Sequence, residues 1–159
     1  SSGCHSNGYS LIRKIIKDTN SDLTKNLDNK KILDHLLTPT RIYVKQILDL
    51  IKYTPIKSIS HITGGGLIDN LPRVMPENVS VIINTNTWNI PPIFNWLSEQ
   101  GKIDSQEMFK TFNCGVGLVI CVEQKNADKT VNFLNDSGEM AWQIGKVVCK
   151  KTDKKVDII

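Results

Sequence analysis

The sequence predicts an α+β domain in which helices pack on a mixed sheet. Three observations carry that prediction. Several segments repeat apolar residues at the i, i+3, i+4 spacing of a helix, as Ile12, Ile15 and Ile16 do. Others are short apolar runs of strand length, such as Val79 to Ile83 and Gly115 to Val122. The two kinds alternate, and strand, helix and strand between 115 and 150 read as one βαβ-type unit.

Residues 9 to 18 form the first predicted helix. A polar stretch over 19–29 reads as a surface loop, and Lys31 to Leu37 as a short helix. Thr38-Pro39-Thr40 breaks the chain, with Thr40 placed to cap the next helix. That helix runs to Lys52, and Val44, Ile47, Leu48 and Ile51 form its expected buried stripe. Ile56 to Ile62 alternates apolar and polar residues, as a strand does, and leads into His61-Ile62-Thr63-Gly64-Gly65-Gly66. A short helix from Leu67 ends at Pro72. After the strand at 79–83, Pro91 to Gln100 is helical with Phe94 and Leu97 inward, and Gly101 stops it. Asp104 and Glu107 have capping-box spacing, which starts a helix reaching Phe109. The strand at 115–122 precedes a helix from Asn126 to Asp136, with Val131, Phe133 and Leu134 inward and Gly138 closing it. Ile144 to Lys150 and Val156 to Ile159 are the last two strands.

With 159 residues, 40% of them hydrophobic, the chain is one domain with enough apolar side chain for a core. Its formal charge of +4 comes mostly from scattered Lys. Only Arg13, Arg41 and Arg73 carry a guanidinium, and no basic stretch interleaves with aromatic rings. Nucleic-acid binding is therefore not expected. No apolar run is long enough to span a bilayer, so no membrane role is expected. The four cysteines form no C-x-x-C pair, and no metal site is expected. Cys121 and Cys149 read as buried thiols of a reducing cytosol, and Cys4 as a small filler in a polar loop.

Two glycine-bearing loops hold the chemistry. One opens the chain, Ser1-Ser2-Gly3-Cys4-His5-Ser6-Asn7-Gly8; the other is the triplet after His61. Each puts glycine, hydroxyls and a histidine ahead of a predicted helix. Backbone N–H groups there lack intrahelical partners, and glycine lets a ligand approach them. An anionic, phosphorylated small molecule is the expected ligand. His5 and His61 can each contact it or fix the loop backbone. His35 reads as a surface residue. Asn7, Asp69 and Asn70 stand beside the loops, and Arg73 can pair with phosphate or carboxylate. The triplet lacks the spacing of a P-loop or a dinucleotide fold, and no H-E-x-x-H occurs.

Four blocks make the chain recognisable: SSGCHSNGYSLIR at 1–13, PTRIYVK at 39–45, HITGGGLIDNLPRVMP at 61–76 and EMFKTFNCGVGLV at 107–119. GEMAWQIG at 138–145 adds a fifth. Together they resemble the C-terminal domain of the phosphoribosylformylglycinamidine cyclo-ligase (aminoimidazole ribonucleotide synthetase) family. The resemblance implies a three-layer α/β/α fold with a mixed sheet and flanking helices, partly ferredoxin-like. It implies that residues 1–159 are the substrate-side domain of a cytoplasmic, dimeric, two-domain enzyme of purine biosynthesis. An N-terminal domain would supply most of the ATP and Mg2+ binding. The implied reaction spends ATP to activate the formyl amide oxygen of formylglycinamidine ribonucleotide; an amidine nitrogen then closes the imidazole ring and phosphate leaves. By position in the motifs, His61 and then His5 are the expected catalytic imidazoles. Ser2, Gly3, Ser6, Asn7, Thr63, Gly64, Gly65, Gly66 and Arg73 are the expected substrate or phosphate contacts. Lys110 stands where the family has Arg, and Cys4 where it has an aliphatic residue. Two alternatives stay open: a related small-molecule kinase or selenophosphate-type synthetase, and a binding module without catalysis.

Overall fold

Helix α1 (Tyr9–Thr19) shows how local sequence sets this fold. Gly8 in the left-handed region starts it, Asn20 in the same region ends it, and Ile12 and Ile15 are its buried stripe. In the computed structural model, which describes residues 3–5, 7–150 and 153–159, the chain divides into two compact units. The first comprises Ser1–Arg41, His61–Asn70 and Asn89–Leu118; the second comprises Ile42–Ser60, Leu71–Trp88 and Val119–Ile159.

The first unit is mainly helical. After α1, the predicted polar loop holds a small antiparallel hairpin, β1 (Asn26–Leu27) with β2 (Lys30–Lys31). Helix α2 (Ile32–Leu36) follows, and the Tyr9 hydroxyl donates to the Leu36 carbonyl. The later helices of this unit are α4 (Gly66–Asn70), α5 (Pro92–Gly101) and α6 (Ser105–Thr111). Helix α5 packs on α1, α2 and α6, and α4 packs on α6. Ile12, Ile15, Leu67, Ile93, Phe94, Leu97 and Phe112 are buried, and the Phe94 and Phe112 rings meet at 6.0 Å between centroids. The Asp104 carboxylate accepts from the Glu107 N–H at 3.0 Å, as the capping spacing predicts. Gly101 does not stop α5. It is the last helical residue, packed so closely that a Cβ there would stand 2.8 Å from Ile15 Cδ1, and Lys102 takes the left-handed terminus instead.

The second unit carries α3 (Val44–Tyr53), α7 (Ala127–Asp136) and a three-stranded sheet. In that sheet β4 (Val79–Ile83) lies between β6 (Gly145–Cys149), antiparallel, and β7 (Val156–Ile158), parallel. Val81 and Ile83 are buried, while Ser80 donates to the Lys154 carbonyl at 2.8 Å. Helix α3 packs on α7, where Tyr53 stacks on Phe133 at 4.6 Å.

Strands β3 (Ser58–His61) and β5 (Leu118–Cys121) pair as a separate two-stranded sheet. The Lys57 N–H donates to Cys121 O at 2.8 Å within the second unit, and the Ile62 N–H to Gly117 O at 2.9 Å within the first.

Four expectations change. Strands β5 and β6 belong to different sheets, so 115–150 is not a βαβ unit. Helix α3 starts after Tyr43, not at Thr40. Its inward stripe is Tyr43, Ile47, Leu50 and Thr54, at i, i+4, i+7 and i+11. Val44, Leu48 and Ile51 are instead 61%, 54% and 51% exposed. The fully buried thiols are Cys4 and Cys114, whereas Cys121 is half-buried and Cys149 exposed. The edge position of β6 leaves Cys149 facing water. Among the described residues, no helix is long and apolar enough to cross a membrane.

Candidate functional site

Strand β3 delivers His61, which is exposed, into the glycine triplet. The triplet is a structured turn. Gly66 N–H donates to Thr63 O at 3.0 Å, and Asp69 N–H to Gly65 O at 3.0 Å. The buried Asn70 amide organises the rest: its Nδ2 donates to the carbonyls of Thr63 (3.2 Å), Gly64 (3.1 Å) and Gly66 (2.8 Å). The Thr63 hydroxyl donates back to Asn70 Oδ1 at 3.1 Å. With three carbonyls drawn onto one side chain, the loop's acceptors are consumed and its N–H donors are left over. The N–H groups of Gly64 and Gly65 have no acceptor among the described residues. Gly64 is exposed, and nothing lies within 4 Å of where its Cβ would be.

The three glycines do different work. Gly66 has a φ of +56°, and a Cβ there would overlap the Phe109 carbonyl and stand 2.7 Å from that of Phe112. Gly65, with a φ of +95°, supplies the turn. Gly64 is the one held open.

In the first loop His5 adopts a φ of +55° and is 7% exposed. Asn7 is 4% exposed; its N–H donates to Cys4 O at 3.2 Å, and its Nδ2 meets no acceptor among the described residues. Gly8 packs so closely on Phe112 that a Cβ would overlap the ring. Gly3 lies against Thr38 and the His35 carbonyl. His35 is half-buried and bonds Leu27 O through Nε2 at 2.9 Å, which fixes it to the hairpin. Ser2 and Ser6 lie outside the described residues.

The two loops meet on one segment, Phe109 to Gly115. Asn113, fully buried, donates from Nδ2 to Gly3 O at 2.9 Å and accepts the Gly115 N–H on Oδ1 at 2.9 Å. Phe112 packs on Gly8 with its ring and on Gly66 with its carbonyl. Cys114, in the left-handed region, donates its thiol to Met108 O at 3.5 Å. Residues 3, 8, 66 and 113 therefore share a single neighbourhood. Sequence reasoning found the glycines but not the role of Asn113 or Phe112. The signal was present in the TFNCGVG block, where a polar Asn interrupts an apolar run.

Burial sets the electrostatics. It lowers the His5 imidazole to about 4, with His61 a lesser cause, so His5 is neutral at pH 7. Burial raises both the Cys4 and Cys114 thiols to about 12, which makes them inert fillers rather than nucleophiles. Arg73 is exposed in a 3-10 turn (Pro72–Val74) of the second unit, not in the unit that holds both loops. Lys110 is exposed on α6. A cavity of about 170 Å³ in the first unit is lined by residues of α5, α6 and their neighbours, and neither glycine loop borders it. The triplet is open at the surface at Gly64, whereas the described residues 3–5 and 7 of the first loop are buried.

This donor set suits an anion: free amides, a buried amide NH2 and two imidazoles. It does not suit a hard cation, because no group of three His, Cys, Asp or Glu side chains converges among the described residues. Ligands for Mg2+ would have to come from elsewhere.

Residues 1–157 match the family model described as AIR synthase related protein, C-terminal domain. Domains of this family are parts of ATP-dependent enzymes, among them AIR synthase, FGAM synthase and selenophosphate synthetase. The match takes in both glycine loops and the segment that joins them, and on it the chain belongs to the AIR synthase related protein C-terminal domain family.

Proposed function

We propose that this chain is the substrate-side domain of an ATP-dependent cyclo-ligase that converts formylglycinamidine ribonucleotide to aminoimidazole ribonucleotide. The observation that carries the reading is the convergence of both glycine loops on Phe109 to Gly115, with the Gly64 and Gly65 amides left open. A phosphorylated nucleotide precursor needs such donors for its anionic group. The sequence blocks at 1–13, 39–45 and 107–119 favour the cyclo-ligase over sister synthetases and kinases. A cytoplasmic homodimer, a preceding N-terminal ATP and Mg2+ domain and a three-layer α/β/α arrangement belong to the same reading.

When bound, ATP supplies the phosphoryl group that turns the formyl amide oxygen into a leaving group. The residues of this chain then have separable tasks. Gly64 and Gly65 N–H groups hold phosphate or phosphoryl oxygens, and preorganised donors of this kind require no reorganisation during reaction. His61, exposed at the end of β3, is the imidazole that orients the amide or relays a proton. His5, neutral and with a pKa near 4, is a weak base and serves as an orienting hydrogen-bond group. Asn7 Nδ2 offers a buried donor to an amide or phosphoryl oxygen.

The test is turnover of formylglycinamidine ribonucleotide and ATP by the full-length protein. His61→Ala should lower kcat by about 100-fold or more, within the range for a general acid–base group, with little change in Tm. Wild-type turnover in that variant removes His61 from the mechanism. No aminoimidazole ribonucleotide from the wild-type protein removes the cyclo-ligase reading.

A further inference from the structure

Asn113 is an amide where the local turn needs only an oxygen. It opens a turn in which the Val116 N–H donates to the Asn113 carbonyl at 2.8 Å and the Gly115 N–H donates to Asn113 Oδ1 at 2.9 Å. Cys114 and Gly115 both stand at positive φ within it. An aspartate or a serine closes such a turn as well, since either offers a side-chain oxygen to the N–H two residues on. The amide adds a donor. Asn113 Nδ2 leaves the turn and bonds the Gly3 carbonyl at 2.9 Å, 110 positions away in the chain. An ionised aspartate has no proton to give, and a serine is too short to reach. Asn113 is fully buried, so a carbonyl that lost this donor would lose it out of reach of water.

Gly3 begins the stretch that carries His5. His5 takes a φ of +55°, a conformation that a residue with a Cβ leaves unless the surrounding structure holds it. The Asn7 N–H closes the turn over His5 by donating to the Cys4 carbonyl at 3.2 Å. The imidazole is only 7% exposed. We propose that Asn113 is a positioning residue for His5: its bond to the Gly3 carbonyl fixes the start of the first loop and so holds the imidazole buried in one orientation. That placement is a property of the fold. Its use in catalysis rests on the reading above, in which His5 orients the substrate.

Asn113→Ser keeps an oxygen for the Gly115 N–H and removes the donor to Gly3. Gly3→Ala displaces the same carbonyl without touching Asn113, because its Cβ would stand 3.0 Å from Thr38 Cβ and 3.3 Å from the His35 carbonyl. It also tests the proposal should Asn113→Ser fail to fold. The His5 ring resonances of the full-length wild type and both variants are followed through an acid titration, and Tm, kcat and KM are measured beside it with formylglycinamidine ribonucleotide. The wild-type His5 midpoint should lie at about 4. In each variant it should rise by about one pH unit or more toward the ordinary histidine value as water reaches the ring. Because the orienting group is then misplaced, kcat should fall about tenfold or more. A purely structural Asn113 would lower Tm and leave the His5 midpoint of the folded protein where it was. That result overturns the proposal, as does a wild-type midpoint already at about 6.5. A shifted midpoint with wild-type kcat and KM overturns the link to catalysis. If the midpoint shifts but the wild type makes no aminoimidazole ribonucleotide, the cyclo-ligase reading fails and the placement of His5 by Asn113 stands.

Discussion

The two units are built on opposite principles. In the first, distant pieces of chain are joined by glycines and buried amides. Asn70 gathers three carbonyls of its own loop, Asn113 ties Gly3 to Gly115, and Gly8 and Gly66 admit Phe112 and Phe109 to near-backbone contact. In the second, β4 pairs in regular register with β6 and β7, and its charged groups form ion pairs at the surface. Lys57 and Lys125 both reach Glu123 at 2.9 Å, in water. The contrast teaches where a binding surface is made. A regular ladder satisfies all its own donors, whereas a loop whose acceptors are taken by a side chain is left with donors to offer.

The comparison breaks first at Gly66. Gly66→Ala puts a methyl group into the Phe109 carbonyl at a φ of +56°, and should cost about 3–5 kcal/mol in urea unfolding. Gly64→Ala, two residues earlier, meets nothing and should cost less than about 1 kcal/mol, while still weakening phosphate binding at its N–H. Equal costs at the two positions would mean that the triplet is a uniform flexible loop and not a packed turn with one open residue.

Acid should separate the units next. His5 is neutral in the folded state down to about pH 4, whereas an unfolded histidine protonates near 6.5. Between those values the unfolded chain binds more protons, so stability is complete above pH 6.5 and is lost as pH falls toward 4. The loss should be of order 2 kcal/mol, and His5→Gln should flatten that limb of the stability profile. An unchanged profile would mean that His5 is reached by water.

The smallest effect belongs to the second unit. Lys57, then Lys125, hold the Glu123 carboxyl at about 2. The carboxylate stands at the surface, about 40% exposed, so screening should leave Glu123→Gln with almost the wild-type Tm, and added salt should erase any difference. A large drop would show that surface ion pairs, and not strand pairing, hold this unit together.

How much of this could be read from sequence depended on the range of the interaction. Elements with local causes were legible: the capped start at Asp104, strand β4, the isoleucine stripe of α1 and the glycine triplet. Helix α3 was misread because Val44, Leu48 and Ile51 satisfy helical spacing as well as Ile47 and Leu50 do; periodicity names a face but not what it packs against. Cys121 and Cys149 misled in the same way, since burial belongs to the packed chain and not to the polarity of neighbours.

By itself, then, the sequence determined the elements, the two glycine-rich bends and the family motifs, because propensity, turn chemistry and spacing act over a few residues. Only the tertiary structure decided that the bends meet on Phe112 and Asn113, that His5 is driven neutral and that Gly64 and Gly65 keep free amides. Those outcomes depend on burial and on hydrogen bonds between residues some 50 to 110 positions apart, such as Asn113 with Gly3, which no local pattern encodes.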